Sequence, residues 1–209
     1  MKRLVALLSA TLLAWIALPG LGFAAEPQFK AINPPMATAK DKIEVIEFFS
    51  YGCPHCSDFH PLISQWAAKL PKDVTFRRVP VSFNRPEWAR LSRLFFAIET
   101  SSDLAKLDTA AFRAIHEERV NLTKSDEAVI AWAVSKGADG KKMKNAMDSF
   151  SMQSRLQRAD KETADAHVEG VPSLVVDGKF LLERTTSYEE LLQRTDSVIA
   201  KARRERTGK

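Results

Sequence analysis

Cys53 and Cys56 are the only cysteines among 209 residues, and two residues separate them. Such a pair is a poor structural staple, because the stabilisation from a disulfide grows with the length of chain it encloses. A redox pair and half of a metal site remain as readings, and the flanks separate them. Upstream, Ile43-Glu44-Val45-Ile46-Glu47-Phe48-Phe49 is rich in β-formers and holds no Gly or Pro, which predicts a strand buried on both faces. Downstream, Phe59, Leu62, Ile63, Trp66 and Leu70 recur at helical spacing. Pro61 is expected to kink that helix, either shaping a groove beside Cys53 or accommodating packing.

Between strand and helix, Pro54 suits the first helical position, since it wastes no amide hydrogen and its φ is preset. Cys53 is then the N-cap. A sulfur there faces the unpaired N–H groups of the first turn and the positive end of the helix dipole, so its pKa is expected to be depressed. His55 adds charge or a hydrogen-bond donor toward the same sulfur, and Cys56 falls one turn in, on the less exposed side. Stabilising the thiolate stabilises the reduced protein and makes the disulfide a better oxidant. One pKa unit is about 1.4 kcal/mol, or about 30 mV for a two-electron couple.

The start of the chain sets the compartment. Met1-Lys2-Arg3, an apolar run from Leu4 to Leu18, and Gly22-Phe23-Ala24 form a positive n-region, an h-region and a small-residue cleavage site, with the cut expected after Ala24. The run is shorter than the roughly 20 apolar residues that span a bilayer. Export to an oxidising compartment suits paired cysteines. About 185 residues remain, enough for one good core with an insertion. The formal charge of +5 falls to about +3 once Lys2 and Arg3 leave with the leader, too mild an excess to imply nucleic acid.

Phe48-Phe49-Ser50-Tyr51-Gly52-Cys53-Pro54-His55-Cys56 resembles the active-site segment of the DsbA family of periplasmic thiol:disulfide oxidases, within the thioredoxin-like superfamily. That family is itself known for an acidic leading cysteine, so the resemblance and the helix argument are not independent. Val168-Glu169-Gly170-Val171-Pro172-Ser173-Leu174 looks like the thioredoxin-fold loop whose proline is cis and packs beside the cysteines. The resemblance implies that Val171 and Pro172 bind the client, its extended backbone pairing beside Pro172. It also implies catalysis by Cys53, Pro54, His55 and Cys56 with no cofactor beyond the Cys53–Cys56 disulfide. Clients would be unfolded exported proteins, and a DsbB-like, quinone-coupled inner-membrane protein would restore the disulfide. The chain would act as a monomer.

Asp177-Gly178 predicts the two-residue turn of a β-hairpin from Val175 to Leu182, and Ser187-Tyr188-Glu189-Glu190 a capping box opening the last helix. After a strand over Val74–Val81, most of Arg85–Gln157 is helical by pattern. Leu91, Phe95 and Ile98 mark one apolar face, Val129, Trp132 and Ala133 another, and Met143, Met147 and Phe150 a third. Residues 121–127 and 137–140 punctuate them as turns and caps. The expected fold class is α/β, a thioredoxin-like domain over residues 25–84 and 158–209 interrupted by a helical domain over residues 85–157.

Glu47 carries two readings. A buried acid beside the redox motif would relay the proton of thiol chemistry, and it matches a position where the DsbA family carries such an acid. Alternatively it reaches water or pairs with Arg77 or Arg78. A metal held by Cys53, His55, Cys56 and His60 would draw several ligands from one helical turn and fits no familiar zinc spacing. His116 and His167 read as surface or capping residues, and the basic tail from Lys201 to Lys209 as a solvated helix end favoured by the dipole. A disulfide isomerase or reductase would use the same cysteines, although residues 25–42 are too few for the dimerisation domain such isomerases bring. A redox-independent peptide-binding chaperone using the groove at Pro172 is the non-enzymatic alternative.

Overall fold

The structure, a computed structural model, describes residues 29–183 and 185–208. The expected leader over residues 1–24 lies outside the described residues. Strands β1 (Lys30–Ala31), β2 (Ile43–Phe49), β3 (Val74–Pro80), β4 (Ser173–Val176) and β5 (Phe180–Glu183) form one sheet in the order β1-β5-β4-β2-β3. Only β2 and β3 are parallel. Parallel neighbours need a crossover, here helix α1 (Pro54–Ala67). The strand expected over 43–49 lies between β4 and β3 and is buried except at Glu44. Helices α2 (Pro86–Thr100), α3 (Leu104–His116), α4 (Asp126–Ser135), α5 (Gly140–Met147) and α6 (Phe150–Asp165) lie between β3 and β4, and α7 (Tyr188–Thr207) follows β5.

Alternation along β2 divides the core. Ile43 and Val45 join Phe59, Ile63, Leu191 and Val198 in a cluster that seats α1 and α7 on the sheet. Ile46 and Phe48 join Leu94, Phe95, Leu107, Phe112 and Met143 in a larger cluster with the intervening helices. Helix α6 is continuous through residue 157 and packs on both α2 and β3, so it belongs to both sides of that boundary.

Local chemistry explains most helix starts. Ser125 Oγ accepts the Ala128 N–H at 3.2 Å, and Asp139 accepts the N–H groups of Lys141 and Lys142. Helix α1 runs through Pro61 and stops at Ala67, short of Leu70. The third apolar face is only partly as expected: Met143 and Met147 are buried, but Phe150 opens α6 and is fully exposed. A new helix starting at Phe150 has a different azimuth, so the spacing does not carry over.

The hairpin turn also differs. Asp177 and Gly178 take positive φ of 55° and 64°, and Lys179 N–H donates to Val176 O at 3.1 Å. Strand pairing begins at Val176 with Phe180, so the connection holds three residues rather than two. A Cβ on Gly178 would lie 2.5 Å from Met36 O, which makes glycine necessary there. Ser187 Oγ caps α7 through the Glu190 N–H at 3.1 Å, but the Glu190 carboxylate turns to Thr186 and Arg194 and leaves the box half formed. The basic tail is only partly a solvated end: Arg204, Thr207 and Gly208 are exposed, but two arginines are seated on the fold. Arg203 pairs with Asp73 at 2.7 Å, and Arg206 holds the buried Asp177 and the Lys40 carbonyl.

Candidate active site

Cys53 is the N-cap of α1, with extended backbone (φ −95°, ψ 117°), and Pro54 starts the helix. The Cys53 carbonyl accepts the N–H groups of Cys56 and Ser57, both at 3.1 Å. The preceding turn is closed by Cys53 N–H donating to Ser50 O at 3.1 Å, and Gly52 within it lies against Trp88; a Cβ there would meet Trp88 Nε1 at 2.9 Å. Both cysteines are thiols. Cys53 keeps 6% of its surface exposed and Cys56 none, so only the first sulfur is open to attack. Burial, with Cys53 and Glu47 beside it, pushes the Cys56 thiol far above its ordinary range.

The second sequence motif meets the first across the fold. The Val171–Pro172 peptide is cis, and Cys53 Sγ–H donates to Val171 O at 3.4 Å. His55 is exposed, and its Nδ1 lies 3.5 Å from Tyr188 Oη, a partner the sequence did not indicate. A hollow of about 220 Å³ is lined by His55, Gly170, Val171, Pro172, Ser173 and Glu183. Expected site residues Cys53, His55, Val171 and Pro172 therefore converge, and Glu183 is an addition.

Beneath them lies a polar cluster in an otherwise apolar interior. Glu47 is completely buried, and its Oε2 accepts from Arg78 Nε at 2.8 Å, so burial and the Arg78 pairing occur together. Burial raises the Glu47 carboxyl, Arg78 opposes this, and Asp108 adds to the rise. Arg78 Nη1 donates to both oxygens of Asp108 at 2.8 and 2.7 Å, and its guanidinium sits 3.6 Å from the Phe49 ring centroid. Tyr51 Oη donates to Asp108 at 2.6 Å. Arg77 is elsewhere, pairing with Glu44 and Glu162.

Of the histidines, His116 departs from its surface reading and His167 agrees with it. His60 is buried and engages Thr109 at 2.9 Å and Ser64 at 3.4 Å; burial lowers its pKa. His116 is half-buried, with Nε2 2.8 Å from the carbonyl of Tyr51, which ties the end of α3 to the active-site turn. His167 is exposed at the end of α6. Asp108 carries no local signal beyond the leucine and phenylalanine spacing of α3, which gives the face on which it would point inward; Arg78 was readable only as one of two partners for Glu47, and the tie of His116 to Tyr51 was not readable.

A sheet that sets a helix-capping Cys-Pro-His-Cys segment against a cis-proline loop, one sulfur open and one buried, defines a thiol:disulfide oxidoreductase of thioredoxin-like fold. The DSBA-like thioredoxin domain matches residues 44–194. A thiol:disulfide interchange protein DsbA of Bordetella parapertussis is 35% identical over 181 residues, covering 85% of each chain. That of Pseudomonas aeruginosa is 32% identical over 203 residues, covering 96% of this chain and 95% of its own. The crystal structure of Pseudomonas aeruginosa DsbA superposes with a TM-score of 0.80 at 34% identity, covering 84% of this chain and 92% of that one. The chain belongs to the DsbA family.

Proposed function

We propose that the chain is a periplasmic dithiol oxidase that gives its Cys53–Cys56 disulfide to newly exported proteins. The leader pattern of residues 1–24 supports the compartment, and no described helix is long and apolar enough to cross a membrane. The redox centre is the cysteine pair itself, with no separate cofactor. The observation that carries the reading is the Cys53 sulfur at the helix N-terminus, 3.4 Å from the carbonyl of the cis-proline loop.

A client thiolate attacks Cys53 Sγ, the S–S bond breaks, and its electron pair leaves on Cys56. Glu47, buried and near enough for its charge to raise the Cys56 thiol, gives that sulfur a proton. Val171 and Pro172 hold the extended client beside Cys53. A second client thiolate attacks the client sulfur of the mixed disulfide and releases Cys53 as a thiolate. Deprotonated, Cys53 no longer donates to Val171 O and is drawn to the first-turn N–H groups, with His55 nearby. A DsbB-like, quinone-coupled membrane protein takes the electrons and restores the disulfide, the Cys56 proton returning to Glu47.

Equilibrating the protein with graded glutathione buffers and counting alkylated cysteines by mass tests the direction of transfer. A potential well above the glutathione couple is expected. A low, thioredoxin-like potential would sink the oxidase assignment in favour of a reductase.

A further inference from the structure

The cluster below the cysteines holds two carboxylates for one guanidinium, and Arg78 does not divide itself evenly between them. Its Nη1 donates to both oxygens of Asp108, whereas Glu47 receives Nε alone. Glu47 Oε1 is buried with no hydrogen-bond partner. The groups facing Glu47 are Arg78 from β3, Cys56 from α1, Asp108 from α3, and Tyr51 from the turn after β2; His60 of α1 lies 3.8 Å from Asp108. Asp108 also takes the Tyr51 hydroxyl at 2.6 Å, which fixes the carboxylate that fixes Arg78. A buried carboxylate with an unfilled oxygen is disfavoured as an anion and tolerated as an acid. The direction of the Arg78 fork therefore decides which carboxylate carries the proton.

We propose that Asp108 is a positioning residue for the redox step: by drawing Arg78 Nη1 to itself, it keeps Glu47 as the member of the cluster that exchanges a proton with Cys56. When the disulfide is reduced, the S–S electron pair stays on Cys56, the proton moves from Glu47 to that sulfur, and the Glu47 anion left behind is balanced by Arg78. Reoxidation reverses the transfer. The inference rests on the proposed role of Glu47 and adds what controls it, a side chain from α3 that acts through Arg78.

Infrared difference spectra of the oxidised and reduced protein over a pH series read the Glu47 carboxylic acid band, assigned by its loss in Glu47→Gln. Asp108→Asn keeps the shape and an acceptor for Tyr51 but releases Arg78, so the midpoint of that band is expected to fall by about one pH unit, the scale on which one close charge acts. The acid limb of single-turnover exchange with a dithiol peptide moves down with it, and Asp108→Glu, which keeps the charge, holds the midpoint. If Asp108→Asn does not fold, Asp108→Ser makes the same charge change with room for water beside Arg78. An unchanged or raised midpoint in a folded neutral variant overturns the role of Asp108 and leaves Glu47 standing. An unchanged pH profile in Glu47→Gln instead removes the Glu47 reading beneath it.

Discussion

Replacing Arg78 by Met tests the buried cluster as an energetic unit. The substitution keeps an unbranched apolar stem but removes one bond to Glu47, two to Asp108 and the contact over Phe49. Removing one partner of a buried ion pair costs about 3–5 kcal/mol because the other charge stays behind. Here that charge is chiefly Glu47, with no surface exposed. Its carboxyl is already raised in the folded state by burial. Such a group contributes its stability fully below its unfolded pKa and loses it as pH rises through the folded one. Without Arg78 the folded value climbs further, so the damage is largest near neutral pH and shrinks in acid, where Glu47 is protonated in both states. Urea unfolding of the reduced protein, followed by circular dichroism, should show a loss of about 3–5 kcal/mol at pH 7. At pH 4.5 the loss should be about 1–2 kcal/mol smaller, one shifted pKa unit being worth about 1.4 kcal/mol. An equal loss at both pH values would refute the argument that Arg78 balances a buried carboxylate, and a gain in stability would show that the cluster is a net cost to the fold.

Three further outcomes follow from geometry. Given a client peptide whose cysteine is capped as a mixed disulfide with glutathione, Cys56→Ser should accumulate a Cys53–peptide disulfide, visible by mass and cleared by reductant, because the open Cys53 thiolate attacks the peptide sulfur, glutathione leaves as the thiolate, and no buried partner resolves the bond; Cys53→Ser should give none. Gly178→Ala should lower stability by about 2 kcal/mol or more in urea titrations, combining a left-handed φ of 64° with a Cβ 2.5 Å from Met36 O. Arg206→Ala should cost about 2–3 kcal/mol by thermal unfolding, since it leaves the buried Asp177 with Lys179 at 3.1 Å as its remaining ion pair among the described residues.

The strand, the Cys-Pro-His-Cys turn and the helix were legible because each is written in consecutive residues: β-formers over 43–49, proline at the first helical position, apolar spacing after it. The proline loop was legible only through resemblance, since nothing local separates Val171-Pro172 from an ordinary approach to a strand. The cluster of Tyr51, Arg78, Asp108 and Glu47 was not legible. Its bonds span 30 to 57 residues, and sequence alone offered Glu47 either Arg77 or Arg78. Register decides between them: Glu47 sits opposite Arg78 across parallel strands, on the same face, while Arg77 points to the other side. The two-residue strand at Lys30–Ala31 and the seating of the basic tail on Asp73 and Asp177 were hidden for the same reason, being defined by distant partners.

The hydrogen bond between Cys53 and Val171 joins positions 118 residues apart, with six helices, α1 to α6, made in between. A ribosome therefore delivers both sulfurs long before it delivers the loop that receives a client. Until β4 pairs with β2, the growing chain carries the two sulfurs without the loop that lies beside them. In a chain of this plan the client loop is the last of the expected site residues to be made.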